Sequence, residues 1–147
     1  MLNIGLSQNH QTLAKLINDK AIVREGDQTI VSPTGQTQKW LIDLRPILLD
    51  VEALDIISNI FWDQYENQLP FQIAGMEVAA VPLVTALLMK AKARGLKTSG
   101  LVVRKERKTS GLGKSIEGEI TGDPIILVDD IMNSGSSLEK AISVLEQ

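Results

Sequence analysis

The sequence predicts an α/β fold in which helices flank a parallel sheet. Four consecutive apolar residues, Ile125–Val128, are typical of a strand buried on both faces, as in a parallel sheet. A helical pattern over residues 80–94 separates two further predicted strands, at 71–74 and 99–103. Because strands alternate with helices, we expect ligands to bind at the carboxyl ends of the strands.

The length of 147 residues predicts a single domain, 1–147, that buries about two thirds of the surface of its unfolded chain. Residues 1–45 are predicted to form an N-terminal helix and a hairpin, and residues 70–147 the ligand-binding core. The predicted elements are, in order, a helix over 11–23, strands at 29–32 and 38–44, a helix from Asp50 to about residue 67, a strand at 71–74, a turn at 75–78, a helix over 80–94, strands at 99–103, 116–121 and 125–128, and a helix over 138–145.

The composition excludes several kinds of site. The chain has no cysteine, which excludes disulfides, thiolate metal sites and a cysteine nucleophile. A single histidine, His10, argues against a zinc site. The N-terminus lacks the pattern of a signal peptide, and the longest apolar run, 78–89, is too short to span a bilayer. We therefore expect a cytoplasmic protein that does not bind membranes.

Positive charge is concentrated in one segment. Residues 104–114, the basic segment, hold five cations and one acid, or +4, which leaves −7 for the rest of a chain whose net charge is −3. This distribution favours a small polyanion and argues against nucleic acid as a partner. Glycines at 111, 113 and 118 predict that the segment forms a mobile lid. The alternative interpretation is a solvated charged loop.

The stretch after Ile125–Val128 predicts a phosphate site. Asp129 and Asp130 end the strand, and a run of small residues then leads into a helix, so that backbone N–H groups and the helix dipole can hold one phosphate. The predicted phosphate-binding residues are Asn133, Ser134, Gly135, Ser136 and Ser137. Two aspartates would repel a phosphate, but they can accept hydrogen bonds from sugar hydroxyls. Together these features predict a ribose 5-phosphate site; the alternative is an ordinary strand–turn–helix with Ser136 as N-cap.

Residues 125–137 resemble the phosphoribosyl-diphosphate (PRPP) signature of the type I phosphoribosyltransferases, with Asn133 at a position where Thr, Ser, Ala, Val or Asp is usual. The Arg-Lys-Glu-x-Lys-x-x-Gly pattern from Arg104 is similar to orotate phosphoribosyltransferases in particular. Residues 74–83 resemble that family's diphosphate-binding loop and the following helix, and residues 32–45 resemble its hairpin.

The resemblance implies a Mg²⁺-dependent enzyme that transfers ribose 5-phosphate from PRPP to a pyrimidine base, with orotate favoured, and releases diphosphate. It implies catalytic roles for Lys108, Asp129 and Asp130 and no direct protein ligand to Mg²⁺, which PRPP would hold. The implied diphosphate contacts are Arg104, Lys105 and the loop Gly75, Met76, Glu77 and Val78. It also implies a homodimer in which Lys108 reaches the partner's site.

Three departures from the family pattern support an alternative. Ser110 stands where a loop histidine is usual, and Pro33 near the place of a substrate-binding lysine. The chain also ends at Gln147, one helix after the signature, where the family continues with further strands. The chain is then a fragment, or another subunit covers that face, or the protein is a non-catalytic regulatory module that binds PRPP or a nucleotide.

Overall fold

The computed structural model describes residues 7–26, 30–31, 35, 37–105, 114–132 and 134–146. The elements are, in chain order, α1 (Gln8–Lys20), β1 (Ile22–Arg24), β2 (Ile30–Val31), β3 (Thr37–Gln38), β4 (Trp40–Ile42), α2 (Arg45–Leu48), α3 (Val51–Tyr65), β5 (Gln72–Met76), α4 (Ala80–Ala93), β6 (Gly100–Val103), β7 (Ile116–Glu117), β8 (Ile125–Val128) and α5 (Ser136–Leu145). Within these described ranges, no helix has the length and apolar character needed to cross a bilayer.

A four-stranded sheet of order β7-β6-β5-β8 forms the centre of the fold. β5 pairs in parallel with both β6 and β8, while β7 pairs with β6 in the antiparallel sense. The predicted α/β class with a mainly parallel sheet is therefore confirmed. The prediction that β8 is buried on both faces was wrong, because β8 lies at the sheet edge and its residues are only half-buried. Every residue of the central strand β5 is buried.

Helices cover both faces of this sheet. α4 packs on one face and α3 packs on α4, around a core that includes Trp62, Phe71 and Leu87. The indole Nε1 of Trp62 donates to the carbonyl of Leu87 at 2.9 Å, which satisfies its polar group inside the core. α5 covers the other face, where Ala141 packs against Met76 and Val103. Both cores fix β5 and β6, the strands that lead into the predicted site.

The N-terminal region departs from the predicted element boundaries. α1 begins three residues earlier than predicted because the Ser7 side chain accepts from the backbone N–H of His10 and caps the helix. Ile22 and Val23, predicted as helix, form β1, which pairs with β4 in the antiparallel sense. The predicted strand 38–44 is divided between β3 and β4. α2 was not predicted, and it presents Ile47 to the core next to α1.

Two boundaries near the predicted site also differ. Gly75 and Met76 were predicted in a turn but are the last two residues of β5, so the turn begins two residues later than predicted, at Glu77. α5 begins at Ser136 rather than Leu138, and its N-cap is Gly135, whose φ of 84° suits a residue without a Cβ. The alternative assignment of Ser136 as N-cap was therefore wrong.

Candidate active site

The carboxyl ends of three neighbouring strands converge at one edge of the sheet. Gly75 on β5 lies opposite Val102 on β6 and Val128 on β8. Glu77 follows the end of β5, and Asp129 follows the end of β8. The structure therefore brings together the predicted diphosphate loop, the start of the basic segment and the acidic pair, as the parallel topology requires.

Gly75 permits a close approach between the strands and α4. A Cβ at this position would lie 2.5 Å from the Cβ of Ala80 and 3.2 Å from the carbonyl oxygen of Val128. Such contacts leave no room for a side chain. The backbone of the diphosphate loop is also fixed to the neighbouring strand, because the N–H of Glu77 donates to the carbonyl of Val103 at 2.9 Å. The loop thus starts from a rigid, tightly packed position.

The acidic pair consists of Asp129 and Asp130, at the end of β8. The backbone N–H of Asp130 donates to Oδ1 of Asp129 at 3.0 Å, which orients the Asp129 carboxylate. Burial raises the pKa of Asp129, and the neighbouring Asp130 carboxyl raises it further, while the positive charge of Lys105 acts in the opposite direction. These carboxylates can accept hydrogen bonds from hydroxyl groups or pair with a cation.

The residues after the pair form a small polar cleft of about 160 Å³ at the N-terminus of α5. The cleft is lined by Asp129, Ile131, Met132, Ser134, Gly135, Ser136, Ser137 and Leu138. The Ser134 and Ser136 hydroxyl oxygens are 2.9 Å apart, and the N–H of Ser136 donates to Ser134 Oγ at 3.4 Å. Hydroxyl groups and the helix dipole make this cleft suited to one phosphate group.

The basic segment is described only at its two ends, Arg104–Lys105 and Lys114. The predicted catalytic residue Lys108 lies outside the described residues. Arg104 is bound by two carboxylates: its Nη1 lies 3.2 Å from Glu117 Oε1, and its Nη2 lies 3.7 Å from Glu77 Oε2. The backbone N–H of Lys105 donates to the other oxygen of Glu77, Oε1, at 3.0 Å. These contacts join the basic segment to the diphosphate loop.

Arg45, at the start of α2, is a cation near the site that the sequence reasoning did not select. Its Nε and Nη2 donate to the two carboxylate oxygens of Asp43, each at 2.7 Å, and this pairing lowers the pKa of Asp43. A largely apolar cleft of about 430 Å³ is lined by Arg45, Leu48, Leu49, Glu77, Val78, Ala79, Pro82 and Lys105. The feature of the sequence that could have indicated Arg45 is the triplet Asp43-Leu44-Arg45, which directly follows the hairpin.

Comparison with known proteins assigns this arrangement to a family. The family model of the phosphoribosyl transferase domain matches residues 47–147, which include every strand of the central sheet. The chain belongs to this phosphoribosyltransferase family. The resemblance stated from the sequence is thereby confirmed.

Relatives of this phosphoribosyltransferase include the orotate phosphoribosyltransferase of Methanosphaera stadtmanae, 31% identical over 135 residues, which are 91% of this chain and 72% of the relative. The orotate phosphoribosyltransferase of Pyrococcus abyssi is 31% identical over 141 residues, with coverage of 93% and 73%. The crystal structure of Mycobacterium tuberculosis orotate phosphoribosyltransferase in complex with PRPP has a TM-score of 0.72 and 25% identity, covering 94% of this chain and 75% of that one. The chain is an orotate phosphoribosyltransferase-like enzyme.

The predicted site residues of this phosphoribosyltransferase differ in which of their atoms a ligand can contact. The Met76 side chain is buried in the core, so only its backbone is available to a ligand. Val78 is 75% exposed and lines the cleft beside Arg45. Asn133 lies outside the described residues. Asp129 and the residues from Ser134 to Ser137 line one cleft, and Asp130 is not among the residues that line it.

Proposed function

We propose that the chain transfers ribose 5-phosphate from PRPP to orotate and releases diphosphate, a step that makes a pyrimidine nucleotide. The observation that carries the proposal is the juxtaposition of the acidic pair with the small polar cleft at the N-terminus of α5. A ribose 5-phosphate carries vicinal hydroxyls, which the acidic pair can bind, and a phosphate, which the small polar cleft can hold. The names of the relatives and the PRPP complex of the Mycobacterium tuberculosis enzyme support the choice of substrates.

The roles of the protein groups follow from their chemistry. Asp129 and Asp130 would accept hydrogen bonds from the ribose hydroxyls, and the residues from Asn133 to Ser137 would hold the 5-phosphate. When the bond to the diphosphate breaks, negative charge accumulates on the leaving group and positive charge on the sugar ring. Cations of the basic segment, Lys105 and Lys108, would stabilise the leaving group. The transfer needs no nucleophile from the protein.

We further propose that Mg²⁺ takes part while held by PRPP rather than by the protein. Across the described ranges, no group of three or more His, Cys, Asp or Glu side chains is placed to hold a metal ion. Mg²⁺ typically binds through one or two carboxylates together with substrate phosphates and keeps several waters. An ion bound through substrate phosphates and waters needs no such group of protein side chains, which leaves Asp129 and Asp130 for the ribose hydroxyls. When bound, the ion would neutralise charge on the diphosphate.

A homodimer is the proposed assembly. Four large apolar side chains near α4 are strongly exposed: Leu49 at 76%, Val51 at 86%, Val78 at 75% and Met89 at 68%. They line two clefts that adjoin along α4, one containing Pro82 and the other Ala86, which are one helical turn apart. Apolar surface of this kind is typical of a protein interface.

The cytoplasmic location predicted from the sequence stays a prediction.

Calorimetric titration with PRPP in the presence of Mg²⁺ tests the proposed site. We expect Asp130→Asn to weaken binding by about 1.5–3 kcal/mol, the loss typical of a charged hydrogen bond. Asp123→Asn is the matched control, because Asp123 precedes β8 at the opposite end of the strand and its carboxylate accepts from Thr121 Oγ1 at 2.7 Å. Equal PRPP affinity in the wild type and Asp130→Asn would refute the assignment.

A further inference from the structure

We infer that Arg45 is a further diphosphate-binding residue, which supplies a positive charge that the diphosphate loop itself lacks. That loop, Gly75–Val78, contains one acid, Glu77, and no cation, although a diphosphate group carries several negative charges. Arg45 on α2 and Lys105 in the basic segment line the same cleft of about 430 Å³ as the loop, which we call the α2 cleft. This role presupposes the proposed function, because diphosphate is the product that the proposed reaction releases.

Packing fixes the backbone on both sides of Arg45. Ile47 and Leu48, which follow it in α2, are both buried and pack into two different hydrophobic cores. Asp43, which precedes it, donates its backbone N–H to the carbonyl of Ala21 at 2.8 Å. The position of Arg45 at the α2 cleft is therefore set by the fold before any ligand binds.

The Asp43 carboxylate orients the guanidinium of Arg45 and leaves part of it free. Nε and Nη2 each donate to one carboxylate oxygen at 2.7 Å. Nη1 has no hydrogen-bond or ion-pair partner among the residues that the structure describes, and the Arg45 side chain is 74% exposed. Nη1 can therefore donate to an anion while Asp43 keeps the side chain in one orientation.

The surroundings of Arg45 favour the diphosphate over the other anionic groups of the two substrates. The 5-phosphate belongs to the small polar cleft at α5, which Arg45 does not line. Pairing with Asp43 raises the pKa of Arg45, and the more distant carboxylate of Asp130 adds to this effect. Arg45 thus interacts electrostatically with the acidic pair, as expected if one PRPP molecule contacts both.

The carboxylate of orotate is the other anion that a guanidinium could bind. Two features of the α2 cleft assign Arg45 to the diphosphate instead. The diphosphate loop forms part of its wall, and Lys105, the other cation that lines it, belongs to the basic segment. Two cations on one cleft match a group with several negative charges better than they match a single carboxylate.

Calorimetric titration with inorganic diphosphate and Mg²⁺ tests this role. Arg45→Gln should weaken diphosphate binding by about threefold to tenfold, a modest loss because the side chain is exposed and Asp43 offsets part of its charge. Arg24→Gln is the matched control: Arg24 is an exposed arginine on β1 that does not line the α2 cleft, and its loss should leave the affinity unchanged. Equal diphosphate affinity in the two variants would overturn the inference.

Titrations with ribose 5-phosphate and with orotate separate the diphosphate from the other ligand groups. Neither compound carries a diphosphate, so Arg45→Gln should bind both of them nearly as well as the wild type does. If Arg45→Gln loses as much affinity for either compound as for diphosphate, Arg45 does not act through the diphosphate and the inference fails.

Arg45→Lys distinguishes a charge contact from a structural role. The variant keeps the positive charge, but an ammonium group cannot form the two parallel hydrogen bonds to Asp43. Its diphosphate affinity should lie between those of Arg45→Gln and the wild type. An affinity no higher than that of Arg45→Gln would contradict a contact that depends on charge. Urea unfolding and sedimentation of both variants check that the fold and the assembly are unchanged.

The salt dependence of diphosphate binding gives a readout that a purely structural residue would not change. The affinity of Arg45→Gln should fall less steeply with salt concentration than that of the wild type, because one cation fewer acts on the anion. Equal salt dependence would contradict the inference. A wild type that binds diphosphate but transfers no ribose 5-phosphate would refute only the proposed function, whereas a wild type that binds no diphosphate would refute both.

Discussion

Asp129 is the residue at which stability and ligand binding oppose each other. Burial raises its pKa, so the folded protein binds a proton at this site more tightly than the unfolded chain does. The free energy of unfolding therefore falls as the pH rises from the ordinary pKa of the carboxyl to the raised one. At neutral pH the ionised Asp129 carboxylate destabilises the fold. Its proposed role is to bind the ribose hydroxyls.

The first prediction concerns Asp129→Asn. The variant should melt at a higher temperature than the wild type at pH 7, and the difference should be smaller at pH 4, because the wild-type carboxyl loses its charge as the pH falls through its raised pKa. PRPP affinity should fall at the same time. Thermal melts at both pH values, with Asp123→Asn as control, provide the measurement. An equal gain in melting temperature at the two pH values would show that ionisation is not the cause.

A second prediction at this scale is kinetic and concerns Lys108, whose role is predicted from the sequence. If Lys108 stabilises the departing diphosphate, it acts more strongly in the transition state than on bound PRPP. Lys108→Ala should therefore lower kcat by on the order of 10²–10³ and change PRPP affinity much less. Lys114→Ala, in the same segment, is the control. A loss of affinity with unchanged kcat would assign Lys108 to binding alone.

Local patterns predicted some site residues and not others. Asp129, Asp130 and the serines that follow lie within nine residues of one another, so their arrangement could be predicted from one strand–loop–helix unit. The ion pairs of Arg104 with Glu77 and Glu117 join residues in or directly after three strands, and they depend on the pairing of β5, β6 and β7. Arg45 was missed for a related reason, since its place beside the diphosphate loop depends on how α2 packs.

At the scale of elements, the helices with long periodic patterns were predicted, and two short elements, α2 and β1, were not. α3 and α4 each carry apolar residues over 14 or 15 positions, enough to establish a helical period. α2 has four residues and β1 has three, which is too few for any period. The edge position of β8 could not be predicted either, because an apolar run does not reveal which strands pair with it.

The close packing of β5 against α4 leads to a third prediction. Gly75→Ala should destabilise the fold by about 1–3 kcal/mol, since the added Cβ would lie 2.5 Å from Ala80 Cβ and 3.2 Å from the Val128 carbonyl oxygen. Gly26→Ala is the control, because its added Cβ would have no heavy atom within 4 Å among the described residues other than its chain neighbours. Urea unfolding measures both. If the unfolding midpoint of Gly75→Ala equals that of the wild type, β5 and α4 can move apart at little cost and the prediction is wrong.

At the scale of the whole molecule, the exposed apolar side chains along α4 predict a fourth result. Sedimentation should give about twice the chain mass of 16.1 kDa. Val51→Glu and Met89→Glu should shift the protein towards the monomer, because each places a charge within that apolar surface. Ile120→Glu is the control: its side chain is 50% exposed and lies between β7 and β8. A monomeric wild type would contradict the proposed dimer.

Turnover with a panel of bases tests the central claim most directly. Wild-type chain, PRPP and Mg²⁺ should release diphosphate when orotate is added, in equal amount to the nucleotide formed. Asp130→Asn should lower kcat/KM at least about tenfold, as expected for one charged hydrogen bond, and Asp123→Asn should retain the wild-type rate. PRPP binding without diphosphate release for any base would contradict the account and would instead indicate a non-catalytic PRPP-binding module.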